Sequence, residues 1–205
     1  MSWGGLTHAV LPYAVLLPYW VKLSWALVMS AVVLRAPLGQ TLRVVVAVGV
    51  ALLGGALSGY LALAFQTPSL VLVAWAVWCW VDALQEQTPR CMTPTPMAVA
   101  GVALGWMLVV DTLNGWPAVF NVQLYALGFE SVGLWVVLIL LAAALWRSQV
   151  SARWFFTRVS VLALYVVLRL PTGNVWDAVL DPFVWLALHV QLWRTWRARA
   201  SGELD

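Results

Sequence analysis

The chain has 205 residues, 63% hydrophobic and 9% charged, with a mean hydropathy of +0.90. Soluble domains carry about 25% charged residues, so this deficit excludes an ordinary water-soluble fold and leaves no room for a separate soluble domain. The net charge of +3 and pI near 9.2 do not point to nucleic acid, because the basic residues cluster at the ends of apolar stretches, where membrane insertion uses them.

Seven apolar segments follow one another, at about 10–34, 44–65, 69–84, 97–116, 131–146, 154–170 and 175–193. Each is near the roughly 20 residues a helix needs to cross about 30 Å of hydrocarbon. The expected architecture is therefore all-α: a polytopic membrane helix bundle of about seven transmembrane helices forming one integral domain over residues 1–205. The opening MSWGGLTHAV lacks the basic region of a signal peptide, so the first segment reads as a mature span.

The first segment carries Lys22, the only lysine of the chain, near its middle, with Pro12 and Pro18 in its early half. An ammonium at that depth costs roughly 2.5–3.5 kcal/mol on insertion scales, so it is expected to find a partner on a neighbouring helix. The second segment repeats small residues at four-residue spacing, Ala47, Ala51, Gly55 and Gly59; Gly101 and Gly105 do so in the fourth. Small residues at this spacing let two backbones approach closely, which predicts that the second and fourth spans are central and tightly packed. The third segment is short and holds Trp75, Trp78 and Trp80. Turn-like breaks stand at 36–40, 66–68, 88–96 and 170–174, and the connection Pro117–Glu130 reads as lying in the interface.

Charge sets the expected orientation. With seven spans, Arg35, Arg43, Arg90, Arg147, Arg153, Arg158, Arg194, Arg197 and Arg199 share one side, and Arg169 falls on the other. By the positive-inside rule the N-terminus is outside and the C-terminus cytoplasmic, as in a bacterial cytoplasmic (inner) membrane. Most of the fifteen tryptophans then fall near the interfaces, as an aromatic belt would, and Cys79 and Cys91 read as free thiols.

The polar candidates are few. Asp111 and Asn114 end the fourth segment; Asp177 and Asp181 stand at i and i+4, on one face of a continuous seventh helix. Asp111 and Asp181 lie roughly 8–9 Å below the outer boundary and Lys22 near ~18 Å. A snorkelling lysine covers much of that difference. Lys22, Asp111, Asn114, Asp177 and Asp181 thus form a candidate intramembrane polar site, either a static ion-paired knot or a solute or proton site. On the cytoplasmic rim, Asp82 and Glu86 form a second i, i+4 pair that Arg158 or Arg90 would neutralise. His189, in the inner half of the seventh span, is expected on a backbone carbonyl.

No Ser–His pair in a protease context, HExxH, P-loop or pair of haem-ligating histidines is present, so no catalytic, cofactor-binding or metal-binding residue is assigned. Two functional readings remain. The first is a non-catalytic subunit or assembly factor of a larger membrane complex, in contact with other membrane subunits or further copies of itself. The second is a small-solute or proton-coupled carrier or channel using the Lys/Asp cluster. Both rest on Lys22 being neutralised inside the bundle.

Overall fold

The computed structural model describes residues 13–85, 93–113, 123–147 and 152–201. Among them the fold is wholly helical, with α1 (Tyr13–Val33), α2 (Gln40–Phe65), α3 (Leu70–Leu84), α4 (Thr95–Thr112), α5 (Ser131–Arg147), α6 (Ala152–Leu168), α7 (Val175–Val179) and α8 (Pro182–Ala200). A 3-10 turn, Ala126–Phe129, precedes α5. Three helical stretches, Leu16–Val33, Gln40–Phe65 and Thr95–Thr112, are long and apolar enough to cross a membrane; Leu70–Leu84 and Ser131–Ala143 are shorter apolar helices.

Local signals explain the boundaries. The Ser69 hydroxyl accepts the Leu72 amide at 3.0 Å and starts α3. Pro96 sits in the first turn of α4, where its missing N–H costs nothing. Asn174 accepts the Trp176 amide at 2.9 Å and starts α7. The expected seventh helix does not run unbroken: it divides into α7 and α8 at Leu180 and Asp181. Proline at 182 drives Asp181 into extended backbone (φ −126, ψ 171), and Asp181 becomes the N-cap of α8. Asp177 and Asp181 therefore do not share a helical face.

The hub is α3, which packs against α1, α6, α7 and α8. α1 lies along α2, α8 along α4, and α5 meets the 3-10 turn and α7. One buried cluster gathers Leu70 and Val71 of α3 with Trp154, Val161, Leu162 and Tyr165 of α6 and Val175 and Trp176 of α7. A second gathers Leu72, Ala76 and Cys79 of α3 with Trp25, Val28 and Ala31 of α1 and Ala47 of α2. The Cys79 side chain is buried within this cluster. Apart from Asp82, α3 is apolar around its circumference, as suits a helix packed on several neighbours.

This differs from the expectation that the second and fourth spans are central. α2 leaves most of one side open, with Leu52, Tyr60 and Leu63 at least three-quarters exposed. Its contact ridge is Ala47, Gly54 and Ser58, not the row through Gly55 and Gly59. A Cβ on Gly54 would lie 3.2 Å from the Ala26 Cα, whereas Gly55 and Gly59 have nothing within 4 Å. Four-residue spacing alone does not reveal which of two adjacent rows meets a neighbour. Gly101 and Gly105 of α4 do face a helix: their missing side chains leave room for Leu188 and the Trp185 indole of α8.

Hydrogen bonds tie the helix ends together. At one end Gln40 Nε2 donates to the Ala83 carbonyl (2.9 Å), and Gln191 pairs with the Thr93 backbone. At the other end Ser69 meets Asp181, and Asp111 meets Tyr125. Consecutive long helices accordingly run in opposite directions.

Candidate functional site

The expected cluster is not assembled around Lys22. Lys22 is exposed on α1, beside exposed Tyr19 and Leu23, and it makes no ion pair or hydrogen bond among the described residues. The opposite face, with Ser24, Trp25, Val28 and Ala31, is the one turned to the bundle. The carboxylates meant to receive the lysine have other partners.

Asp181 caps α8, its Oδ1 accepting the Val184 amide at 2.7 Å, and its Oδ2 accepts the Ser69 amide at 2.8 Å. One carboxylate thus satisfies orphan N–H groups at the starts of two helices. Asp111, 7% exposed, accepts the Tyr125 amide on Oδ2 at 2.7 Å; its Oδ1 has no hydrogen-bond partner among the described residues. Tyr125 reaches across from there, and its hydroxyl donates to Asp177 Oδ2 at 2.8 Å. Thr172 donates to the same oxygen. Asn174, fully buried, donates its side-chain amide to the Tyr125 carbonyl at 3.0 Å. The Trp176 indole donates to the Leu124 carbonyl at 2.9 Å. Burial first, then the adjacent Asp177 carboxylate, push the Tyr125 phenol well above its ordinary value, so it remains a neutral donor.

Tyr165 completes this knot from α6. Fully buried, it donates to the Gly173 carbonyl at 2.7 Å and accepts from Arg169 Nη1 at 3.1 Å. Arg169 holds a positive φ of 54 at the end of α6, and Gly173 one of 85 within the following turn. The knot fastens the 123–130 segment, the 169–174 turn and α7 together.

At the opposite end Asp82, 1% exposed, is paired with Arg153 at 2.7 Å. The Arg153 guanidinium also lies 3.9 Å from the Trp78 ring centroid, and the Trp78 indole donates to Thr157 Oγ1 at 2.7 Å. Neutralisation of Asp82 was expected from Arg158 or Arg90, but it comes from the first turn of α6. Arg158 lies over the Trp154 ring at 5.2 Å, and Glu86, Arg90, Asn114 and Cys91 lie outside the described residues. His189 Nδ1 is 2.9 Å from the Trp185 carbonyl, one turn back on α8.

Sequence reasoning missed Tyr125, Tyr165, Thr172, Asn174 and Arg153. The Asp-Pro dipeptide at 181–182 was a legible capping signal, and Asn174 three residues after Pro171 was another. Nothing in the pattern revealed the two tyrosines. Among the described residues no group of three or more His, Cys, Asp or Glu could hold a metal. No family model, no curated protein and no solved structure matches this chain.

Proposed function

We propose that this chain is a non-catalytic, multi-pass subunit or assembly factor of a larger membrane complex. In this reading it crosses a bacterial cytoplasmic membrane with seven helices, the N-terminus outside and the C-terminus in the cytoplasm. The single observation that carries the proposal is the exposed Lys22 near the middle of α1. It lies roughly 13 Å from the start of the helix and 16 Å from its end, beyond what snorkelling spans comfortably. An ammonium at that depth calls for a carboxylate, and Asp111, Asp177 and Asp181 are held by backbone amides and hydroxyls. The counter-charge therefore comes from an acidic residue on a helix of another chain, a different subunit or a second copy.

The antiparallel sequence of long helices and the arginines at one set of ends support the seven-span orientation. A carrier needs a polar lining that solute can reach, and the polar groups here are bound into caps and loop contacts. That favours the subunit reading over the carrier.

The test compares Lys22→Arg, Lys22→Met and Lys22→Glu in the native membrane. Arg should keep the co-purifying subunits, Met should weaken them, and Glu should lose them while insertion and thermal stability stay unchanged. Equal recovery of partners from all three variants would overturn the proposal. For orientation, a cysteine at Ser201 should resist impermeant maleimide applied outside intact cells.

A further inference from the structure

α8 runs on beyond the start of α4. Gln191 clamps the Thr93 backbone where the chain enters α4, and nine further residues of α8 follow, about 13 Å of helix. Gln191, Thr195 and Ala198 form the half-buried row of this stretch. Its other side carries Trp193, Arg194, Trp196 and Arg197, all exposed, and Arg199 is exposed close by. Arg194 and Arg197 stand at i and i+3, on one face. Trp193 and Trp196 are 56% and 62% exposed, with ring centroids 5.4 Å apart, and the Arg197 guanidinium lies 5.9 Å from the Trp193 ring centroid. Ser201 closes the helix, its hydroxyl donating to the Arg197 carbonyl at 3.2 Å, so the arginines stand on regular helix. Among the described residues no carboxylate pairs with Arg194, Arg197 or Arg199.

We infer that this face of α8 binds anionic phospholipid at the surface of the leaflet on the arginine-rich side. Headgroup phosphates lie against Arg194 and Arg197, and the Trp193 and Trp196 indoles sit at the boundary with the acyl chains. The depths agree. Measured from Gln191, Arg194 to Arg199 lie about 4–12 Å along the helix, and the headgroup layer adds roughly 5–8 Å to each side of the hydrocarbon. The charges agree as well. A helix C-terminus is a negative pole of about half a charge, which alone would repel phosphate, and three guanidinium groups outweigh it. Each guanidinium offers a fork of donors that matches two phosphate oxygens. The indole pair turns the choice toward lipid, because tryptophan favours the boundary between tails and headgroups. The inference needs only that α8 ends at a membrane surface, and it does not depend on the partner proposed for Lys22.

The test uses the full chain in phosphatidylcholine vesicles doped with dibrominated phosphatidylglycerol, or with dibrominated phosphatidylcholine at the same level. The difference in fluorescence quenching made by replacing Trp193 and Trp196 with Phe reports lipid at this face. Phosphatidylglycerol should be preferred roughly fivefold. Arg194→Gln with Arg197→Gln should abolish the preference, and lysine at both positions should keep most of it. Both side chains are exposed and form no hydrogen bond among the described residues, so the substituted chain should keep its thermal midpoint in pure phosphatidylcholine. Arg35→Gln, at the same end of the bundle, should leave the preference in place, and inorganic phosphate in the buffer should not compete. A preference that survives the double glutamine substitution, falls equally with Arg35→Gln, or is lost to inorganic phosphate would overturn the inference. So would a photo-crosslinker at Ala200 that captures protein in native membranes and no lipid.

Discussion

The backbone amide of Ser69 donates to Asp181 across 112 positions of sequence, at 2.8 Å, while the other oxygen of the same carboxylate caps α8. The hub helix and the last helix therefore begin at one shared anion. Asp181→Ala removes an acceptor from both starts and should destabilise the protein by about 2–4 kcal/mol. Asp181→Asn keeps one acceptor oxygen and should cost about half as much. Thermal unfolding in a mild detergent, followed by tryptophan fluorescence, checks the order. Equal effects of the two substitutions would show that the shared contact contributes little.

Adjacent glycines on α2 should respond in opposite directions. Gly54→Ala drives a methyl toward the Ala26 backbone, which cannot yield as a side chain would, and should destabilise by about 1–3 kcal/mol. Gly55→Ala and Gly59→Ala meet nothing within 4 Å and should be neutral or stabilising by about 0.5–1 kcal/mol, through helix propensity. Gly105→Ala, which runs into the Trp185 indole, should resemble Gly54→Ala. Thermal midpoints of the four variants, measured side by side, give the ranking.

The Asp82–Arg153 pair should cost more to break than to replace. Arg153→Met strands a carboxylate that is 1% exposed and should destabilise by about 3–5 kcal/mol. Adding Asp82→Leu to that variant should recover most of the loss. A double variant no better than the single one would mean that the Arg153 contact with Trp78 matters more than the charge it neutralises.

Alkaline pH should act through Tyr125. Its phenol titrates above its ordinary value in the folded protein, so its contribution is intact below about pH 10 and falls as pH rises beyond that. The wild type should lose stability above about pH 10 more steeply than Tyr125→Phe. Near pH 8 the variant should be the weaker by about 1 kcal/mol, for want of its bond to Asp177. Chemical-denaturation midpoints across that range provide the measurement.

These outcomes also mark what the amino-acid pattern discloses. Apolar length places α1, α2, α4, α5 and α6 to within a few residues, because hydrophobic runs and turn residues are local properties. It does not distinguish Gly54 from Gly55, since both belong to small-residue rows and only the neighbour decides between them. The division of the last segment was written in Asp181-Pro182, and a hydropathy average passes over that dipeptide. The partner of Asp82 was misjudged because sharing one side of the bundle does not say which of several arginines meets it, and Arg153 arrives from a helix start 71 positions later. Lys22 was expected inside because charge in hydrocarbon is costly; that argument fixes the need for a counter-charge and not the chain that supplies it.

The central place of α3 also has a consequence for biogenesis. Its neighbours come from both ends of the gene product: α1 is made before it, while α6, α7 and α8 emerge much later. The α1–α2 hairpin can close as soon as it is made, but α3 must wait, one flank uncovered, until α6, α7 and α8 arrive. A ribosome stalled before residue 152 would leave Asp82 without Arg153 and Trp78 without Thr157. Quality control that senses a buried carboxylate without its counter-ion would thus register the arrival of α6 at α3.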